Sequence, residues 1–410
     1  MGGPDPEFPG RPILGDHAML WTEEPDRLGI VLGGGGARAA YQVGFLRFLA
    51  QEHPTLEIPV ISGTSAGAIN AVHLAAHPGS FEEAVESLTE LWQSLTVDQV
   101  FRAEGAALAR TLFRWGVRLL SGGRRIGKAP QGMVDTEPLR EFLRNALGGD
   151  QGNPDWIPGV RENIARGRLT ALAVTSTNYG TGQSITWVEG QDAQTWERPH
   201  RVGVETRITL DHVMASSALP FFFPAISIGD DWHGDGGIRQ TAPLSPTLHL
   251  GATRVMAVST RYLPRRSEEG ESMIQGYPPP AQVAGVMLNA IFLDALESDA
   301  ANLERLNSLL ERIPTDVRGD LRPVQLFTSR PSQNLGRLAA DYESKLPQPF
   351  RFLERGLGTK ETRSPDSLSM LMFQPDYLGR LIELGERDAE RRGDEILAFV
   401  KGPQSARRTD

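Results

Sequence analysis

Short apolar runs that lead directly into glycine-rich turns open the structured part of the sequence. Leu28–Leu32 is such a run and is typical of a strand buried on both faces. Residues 33–36 follow as four glycines, and residues 37–50 then place large apolar side chains at helical spacing. Residues 59–62 form a second apolar run, whose turn leads into a helix predicted to end near His77. Two strand–turn–helix units in succession favour a layered α/β fold with parallel strands.

The pattern of apolar positions predicts further elements along the chain. Helices are expected over residues 81–95, 136–147 and 209–218, and over 283–313 as one long helix or a helix pair. Strands are expected at residues 169–176, 183–188, 225–228, 254–259 and 323–328, the first two as a hairpin. Residues 149–160 and 261–281 are predicted to be loops because they are polar or rich in proline.

We expect the chain to divide into three parts. Residues 1–26, which begin with a Gly- and Pro-rich stretch, are predicted to be a flexible N-terminal segment. Residues 27–345 are predicted to form one α/β domain, with its motifs inside residues 28–262. Residues 346–410 are predicted to add a C-terminal helical extension, because their helical pattern is interrupted by polar breaks.

Composition and charge narrow the function classes. The net charge of −9 argues against a globally basic nucleic-acid binder. The absence of cysteine excludes disulfides, a thiolate nucleophile and cysteine-based metal sites, and we expect no metal or cofactor. The sequence lacks both a secretory signal and an apolar stretch of about 18 residues, the length that indicates a transmembrane helix. A cytoplasmic location is expected, with peripheral contact at a membrane left open.

The turn Gly63-Thr64-Ser65-Ala66-Gly67 fits the pattern G-x-S-x-G. This pattern holds a serine on a strained strand-to-helix turn, where small neighbours let the backbone fold tightly. The hydroxyl then stands at the carboxyl edge of the sheet, near the positive end of the next helix. The pattern also occurs in ordinary glycine-rich loops with a helix-capping serine. Because a buried strand precedes it and an Ala-rich helix follows, we predict a nucleophile elbow at Ser65.

The glycine run after the first strand allows two functions. It fits the dinucleotide-binding pattern, but the acidic residue expected at the end of the second strand is absent there, and Glu57 instead precedes that strand. The alternative is an oxyanion hole, because consecutive glycines leave the N–H groups of Gly34, Gly35 and Gly36 unshielded. Arg38 would add positive potential or hold the loop through a carboxylate.

A nucleophilic serine needs a proton acceptor, and Asp235 is the best-placed candidate. It begins Asp235-Gly236-Gly237 at a predicted strand end, although such a sequence is also common in ordinary turns. Burial beside apolar residues, for which Phe221, Phe222 and Phe223 are candidates, would raise its pKa into the working range. His249 would complete the order Ser…Asp…His of a triad, and this alternative stays open.

Taken together, these motifs resemble those of the patatin-like phospholipase family. The sequence has GGGAR at residues 34–38, GTSAG at 63–67, DGG at 235–237 and the apolar segment ASSALPFFFP at 215–224. The resemblance covers residues 28–262. It departs from the family at Ala39, where glycine is usual, and at residues 239–243, which lack the usual asparagine. These departures concern the glycine loop and the Asp235 loop.

The resemblance implies a three-layer α/β/α sandwich with a mostly parallel central sheet, here followed by C-terminal helices. It also implies a Ser–Asp dyad, without histidine or metal, that hydrolyses lipid acyl esters through an acyl-enzyme. By this resemblance Ser65 is the nucleophile and Asp235 the base, while Gly34, Gly35 and Gly36, with Arg38 nearby, form the oxyanion hole. A lipid ester is then the expected substrate, as in a phospholipase A or lysophospholipase.

Residues 101–128 form a basic segment with aromatic residues interleaved. Between Arg102 and Lys128, seven basic residues face one acidic residue. Arg110, Arg114 and Arg118 recur every four residues and, with Trp115, predict a basic amphipathic helix at a membrane surface or lid. An ordinary surface helix that pairs with acidic residues elsewhere in the chain explains the same pattern.

Three rival functions remain beside the hydrolase. An acyltransferase would use the same dyad but pass the acyl group to an alcohol. A non-catalytic lipid-binding or regulatory protein would use the same fold, and the presence of both Ser65 and Asp235 argues against it. A nucleotide-binding α/β protein is opposed by the serine turn at the end of the second strand. The sequence does not predict the oligomeric state.

Overall fold

A computed structural model describes residues 26–102, 132–148, 153, 155–191, 195–264, 277–278, 280–319, 321–346 and 366–402. Several predicted regions therefore lie partly or mostly outside the described residues. They include nearly all of the N-terminal segment 1–26, most of the loop 261–281, and residues 347–365 and 403–410 of the C-terminal extension. Most of the basic segment 101–128, including Arg110, Arg114, Trp115 and Arg118, also lies outside them.

Within the described residues, ten strands form one sheet. They are β1 (Leu28–Leu32), β2 (Val60–Thr64), β3 (Ala171–Asn178), β4 (Ser184–Gly190), β5 (Trp196–Arg198), β6 (Arg201–Glu205), β7 (Ile226–Ile228), β8 (Asp231–Asp235), β9 (Arg254–Val258) and β10 (Gln325–Ser329). Their order is β10-β9-β1-β2-β3-β4-β6-β5, and β8 pairs with β3 and β7. The run from β10 to β3 is entirely parallel, whereas β4 and β8 are antiparallel to β3.

Helices cover both faces of this sheet. The described helices are α1 (Ala40–Glu52), α2 (Ala66–Ala76), α3 (Phe81–Ser94), α4 (Val97–Val100), α5 (Glu137–Leu147), α6 (Pro158–Ala165), α7 (Leu210–Ser216), α8 (Ser245–His249), α9 (Pro280–Phe292), α10 (Asp294–Leu310), α11 (Leu335–Ala340), α12 (Asp366–Leu371), α13 (Pro375–Glu390) and α14 (Gly393–Lys401). Four 3-10 turns add to them at Gly36–Ala39, Gly236–Ile238, Thr315–Val317 and Glu343–Lys345.

Strand side chains alternate between two hydrophobic cores. Ile30 and Leu32 of β1 join the larger core, which contains α1, α2, α3 and α13. Val31 points to the other face and joins the core that contains Leu296, Ala300 and Leu303 of α10. This alternation follows from the two-residue period of a strand and places the sheet between two helix layers. The predicted α/β/α sandwich with a mostly parallel sheet and C-terminal helices is confirmed.

The structure corrects several predicted elements. Residues 149–160 were expected to be one loop, but α6 begins at Pro158, a residue that suits the first turn of a helix. The helix expected from residue 37 begins as the 3-10 turn Gly36–Ala39 and becomes α-helical only at Ala40. Five short elements were not predicted: β5, β6, α4, α8 and α11. The stretch 283–313 is a helix pair, α9 and α10.

Both glycine-rich turns lie at the same edge of the sheet. The register pairs Leu32 at the end of β1 with Gly63 near the end of β2, so these parallel strands finish side by side. Residues 33–36 and Ser65 follow them directly. Crevices at the carboxyl ends of parallel strands are where α/β proteins bind ligands.

Candidate active site

Ser65 stands on a strained turn between β2 and α2. Its φ of 56° and ψ of −135° lie in a region that non-glycine residues seldom occupy, at a cost of about 1–3 kcal/mol. The flanking glycines permit this turn. A Cβ on Gly63 would lie 2.5 Å from the carbonyl oxygen of Gly67, and one on Gly67 would lie 2.2 Å from that of Leu32. The local backbone is therefore that of the predicted elbow.

Two serines of the α7 region hold the peptide groups around Ser65. The Ser65 N–H donates to the Ser216 hydroxyl at 3.0 Å, and the Ser217 hydroxyl donates to the Ser65 carbonyl at 3.1 Å. Ser216 in turn donates to the carbonyl of Thr175 in β3. These bonds offset the cost of the strained conformation. Both serines belong to the ASSALP segment, but the sequence did not reveal their bonding partners.

Asp235 lies at the end of β8 and is fully buried. The Ser65 hydroxyl donates to its Oδ2 at 2.6 Å, and the Gly237 N–H donates to its Oδ1 at 2.9 Å. Burial raises the pKa of Asp235 to about 7, while the hydrogen bonds from Ser65 and Gly237 act in the opposite direction. The predicted contact between Ser65 and Asp235 is present, and their roles in catalysis stay predictions.

The apolar surroundings of Asp235 differ from those expected. Phe221 is 71% exposed, so it does not bury the carboxyl group, whereas Phe223 lines the cavity next to Ser65. The unpredicted neighbour is Phe292 of α9, whose ring occupies the space that a Cβ on Gly237 would need. A Cβ on Gly236 would lie 2.1 Å from the Thr175 carbonyl oxygen. Only glycines fit after Asp235.

Hydrogen bonds to the carbonyl groups of the glycine loop fix the orientation of its peptide groups. The Gln42 amide donates to the Gly33 carbonyl at 2.8 Å, and the Thr260 hydroxyl donates to the Gly34 carbonyl at 2.7 Å. The carbonyl of Gly35 accepts the Arg38 N–H at 3.2 Å. In a trans peptide the next N–H points opposite to the carbonyl, so these bonds orient the N–H groups of Gly34, Gly35 and Gly36. Gly35 and Gly36 line the same cavity as Ser65.

The C-terminal helix α12 packs directly on this loop. Arg38 is buried, and its Nε donates to the Ser369 hydroxyl at 2.6 Å. A Cβ on Gly36, whose φ is +57°, would lie 2.2 Å from the carbonyl oxygen of Met370. At this contact Arg38 bonds to a hydroxyl group, and its predicted role, adding positive potential or holding the loop, stays a prediction. No local signal in the sequence connects these two regions.

An apolar cavity opens beside Ser65. The space between its lining atoms, counted together with adjoining open solvent, is about 660 Å³. Its polar end consists of Gly35, Gly36, Ser65 and Ser217. The remaining lining is apolar and comes from α2, α3, α4, α5, α9, α12 and their connections: Ala66, Ile69, Leu91, Trp92, Leu95, Val100, Leu139, Phe142, Leu143, Leu219, Phe223, Phe292, Met370, Leu371 and Phe373. Such a lining accepts a hydrocarbon chain far better than a polar group.

The histidines of the described residues take no part in the contact between Ser65 and Asp235. Because Ser65 and Asp235 bond directly, no imidazole lies between them. His249, the triad alternative, bonds to Ser245 and stacks on Trp196 at a centroid distance of 4.7 Å. His233 is buried behind Asp235, where its Nδ1 lies 3.1 Å from the Ser176 hydroxyl.

The described part of the chain has neither a candidate metal site nor a candidate membrane span. It contains no cluster of three or more histidine and acidic side chains that could hold a metal ion. None of its helices is long and apolar enough to cross a membrane.

Known structures resemble this chain at low sequence identity. Human GIVD cytosolic phospholipase A2 aligns at 12% identity and a TM-score of 0.45, covering 93% of this chain and 61% of its own. VipD from Legionella pneumophila aligns at 15% identity and a TM-score of 0.35, covering 85% of this chain and 67% of its own. This chain thus spans about three fifths of the human enzyme. Comparison with curated protein sequences gives no match.

The region that contains the three motifs of the site also matches the profile of a known protein family. The patatin-like phospholipase profile matches residues 30–248, which is more than half of the chain. That match includes the glycine loop, the Ser65 turn and the Asp235 turn, which the fold brings together around one cavity. The chain therefore belongs to the patatin-like phospholipase family.

Proposed function

We propose that this protein hydrolyses carboxylic esters of lipids, with Ser65 as the nucleophile and Asp235 as the general base. The observation that carries the proposal is the 2.6 Å hydrogen bond from the Ser65 hydroxyl, which lines the polar end of an apolar cavity, to the fully buried carboxyl group of Asp235. A pKa of about 7 keeps a substantial share of Asp235 ionised at neutral pH while making it a stronger base than an exposed aspartate. Family membership supports this reaction class.

In the proposed acylation, Asp235 accepts the Ser65 proton as Oγ bonds to the ester carbonyl carbon. The carbonyl electron pair moves onto oxygen, and the N–H groups of Gly34, Gly35 and Gly36 stabilise the resulting oxyanion. When this intermediate collapses, the bond to the alkoxy oxygen breaks and the proton passes from Asp235 to the departing alcohol. An acyl group then remains on Ser65.

Deacylation repeats the chemistry with water. Asp235 accepts a proton as the water oxygen bonds to the acyl carbon, and a second oxyanion forms at the same loop. Collapse breaks the bond to Ser65 Oγ, which takes the proton back, and a free carboxylic acid leaves. The acyl chain occupies the apolar cavity throughout, which favours lipid esters over short polar ones.

Replacing Ser65 tests this proposal. We predict that Ser65→Ala abolishes hydrolysis of p-nitrophenyl butyrate and labelling by a fluorophosphonate probe, because both reactions require the activated hydroxyl. Its melting temperature should stay close to that of the wild type, since alanine is smaller and keeps the turn. Ser227→Ala, at an exposed serine of β7, is the matched control and should keep both activities.

Two outcomes would decide against the proposal. Ser65→Ala activity within about tenfold of the wild type would exclude Ser65 as the nucleophile, since removing a nucleophile costs far more. A wild-type protein that binds lipid but neither hydrolyses esters nor reacts with the probe would indicate a non-catalytic lipid-binding protein. Product analysis with an added alcohol separates hydrolysis from acyl transfer.

A further inference from the structure

Helix α9 carries an exposed apolar face beside the cavity. Residues 277–293 contain no charged residue, although charged residues make up 23% of the chain. Val283, Val286 and Met287, spaced as neighbours on one helix face, are 47%, 57% and 58% exposed. A solvent-facing helix surface normally carries charged or polar residues. This face therefore fits contact with an apolar partner.

The opposite face of the same helix belongs to the candidate active site. Phe292 lines the cavity and fills the space next to Gly237, two residues after Asp235. Leu288 and Ile291 pack against a cluster that contains Phe292 and Met370, and Leu219 packs against the same cluster. Leu219 and Met370 also line the cavity. The exposed face is thus separated from the cavity by one helix thickness, about 10 Å.

A second exposed apolar residue stands next to this helix. Phe221 is 71% exposed and has a φ of +67°, a conformation that costs a bulky residue about 1–3 kcal/mol. Its neighbours two positions away, Leu219 and Phe223, both line the cavity. Because two residues span at most about 7 Å, Phe221 lies close to the surface where α9 packs on Leu219. We call Phe221, Val283, Val286 and Met287 the apolar rim.

We infer that the apolar rim docks this protein onto the surface of a phospholipid bilayer. The inference rests on the proposed function, because the bilayer is the phase that holds a lipid ester substrate. A charge-free helix face and an exposed aromatic side chain are the features that enter the headgroup and acyl boundary. Helix α9 presents the rim on one face and lines the cavity with Phe292 on the other, so docking would place this cavity wall next to the layer that holds the acyl chains.

Vesicle binding tests the inference without hydrolysis. In a Ser65→Ala background, the combined substitution of Val283, Val286 and Met287 by Gln should weaken sedimentation with phosphatidylcholine vesicles about tenfold or more, since three apolar contacts are lost. Neutral lipid and 0.5 M salt, where the Debye length is about 4 Å, suppress any contribution from basic residues. Gln keeps the helix because its helix propensity is high.

The chain offers a matched control. Leu309, Val317 and Leu321 are 57%, 67% and 54% exposed, as much as the rim residues of α9. Leu309 lies two residues after Asn307, which bonds to Val324, and Val317 and Leu321 lie seven and three residues before Val324 in the chain. Val324 directly precedes β10, at the sheet edge opposite the carboxyl ends of the parallel strands. The combined substitution of Leu309, Val317 and Leu321 by Gln should leave vesicle binding unchanged. Phe221→Asn is a second rim variant, since asparagine accepts a positive φ, and it should also weaken binding.

The outcomes separate this inference from the proposed function. With Ser65 present, the α9 variant should cleave soluble p-nitrophenyl butyrate as the wild type does but lose activity on vesicle lipids. Equal vesicle binding by the rim and control variants, or no binding by the parent protein, would overturn docking while leaving ester hydrolysis intact. A dimer in solution that the rim variant dissociates would make this face a contact between copies and would also overturn it. The assay of Ser65→Ala on the soluble ester tests the proposed function, and its result does not depend on any of these vesicle experiments.

Discussion

Asp235 is the residue on which the proposed chemistry depends most. Its carboxyl group is fully buried, and it accepts one hydrogen bond from Ser65 and one from Gly237. An ionised carboxyl group with so few donors is costly to bury, which is why its pKa rises from 3.8 to about 7. The property that makes Asp235 a base near neutral pH therefore lowers the stability of the folded chain.

Replacing this carboxyl group should separate activity from stability. We predict that Asp235→Asn lowers turnover by at least about 10²-fold, since the amide keeps the shape but not the basicity. The raised pKa means that the stability contribution of Asp235 is complete below about pH 3.8 and is lost as the pH rises through about 7. Asp235→Asn should therefore melt above the wild type at pH 8, and this gain should shrink towards pH 5.

Melting curves and ester hydrolysis across this pH range check both parts. His249→Ala is the control for turnover, because His249 contacts Ser245 and Trp196 rather than the dyad. A stability difference that stays constant between pH 5 and pH 8 would show that Asp235 does not titrate in this range. A His249→Ala enzyme as inactive as Ser65→Ala would replace the dyad with a triad.

The residues of the site divide into those that sequence could predict and those that it could not. Ser65 and Asp235 were predictable because each is followed or flanked by glycines that only a tight turn requires. Thr260 and Ser369 carry no such local pattern. Their hydrogen bonds to Gly34 and Arg38 join positions that lie 226 and 331 residues apart in the sequence. Such contacts depend on how distant elements pack, which no local periodicity encodes.

At the scale of elements, α5 forms much of the apolar wall of the cavity. Leu139, Phe142 and Leu143 project from one side of this helix into the lining. Leu143 is fully buried, and so is Leu88 of α3, but only Leu143 faces the cavity. These two leucines distinguish the effect of cavity shape from that of core packing.

We predict that Leu143→Ala shifts the preference of the enzyme towards longer acyl chains. Removing the side chain enlarges the cavity, so a longer ester gains room that a short ester does not use. Both Leu143→Ala and Leu88→Ala should lose about 2–5 kcal/mol of stability, as buried leucines do. The ratio of kcat/KM for laurate and butyrate p-nitrophenyl esters should rise only in Leu143→Ala. An equal ratio in both variants would place the acyl chain elsewhere.

The predicted elements succeeded where apolar periodicity was strong and failed where it was weak. The hairpin of β3 and β4 follows from two apolar runs around a turn. By contrast, β5 and β6 are short and include charged residues, and only Gly203 among their residues is buried, so their sequence lacks the apolar run that indicates a strand. They pair with β4 and with each other because the sheet offers an open edge. The strand conformation of β5 and β6 therefore results from pairing in the tertiary structure and not from their local sequence.

At the scale of the whole molecule, the C-terminal helices share the core of the α/β domain. Tyr377, Leu378 and Leu381 of α13 are fully buried in the same cluster as α1. The predicted boundary at residue 346 remains a prediction about folding units, but the packing favours one cooperative unit. Sequence could not reveal this, because the apolar face of α13 indicates burial without indicating which helix covers it.

Two glycines bring α1 and α13 into direct backbone contact. A Cβ on Gly44 would lie 1.9 Å from the Ile382 carbonyl oxygen, and one on Gly385 would lie 2.0 Å from that of Tyr41. Gly379, on the same helix as Gly385, has nothing within 4 Å of its would-be Cβ. Gly379 and Gly385 of α13 therefore differ in whether the backbone of a neighbouring helix occupies the space that a side chain would need.

We predict opposite effects of alanine at these two positions. Within a helix, Gly→Ala normally stabilises by up to about 1 kcal/mol, and Gly379→Ala should do so. Gly385→Ala should destabilise by about 1–3 kcal/mol, because the methyl group forces α1 and α13 apart in a close-packed core. If α13 and the sheet unfold as one unit, thermal unfolding followed by circular dichroism should show a single transition that moves down in Gly385→Ala. Two transitions, with only the smaller one shifted, would instead establish the C-terminal helices as a separate folding unit.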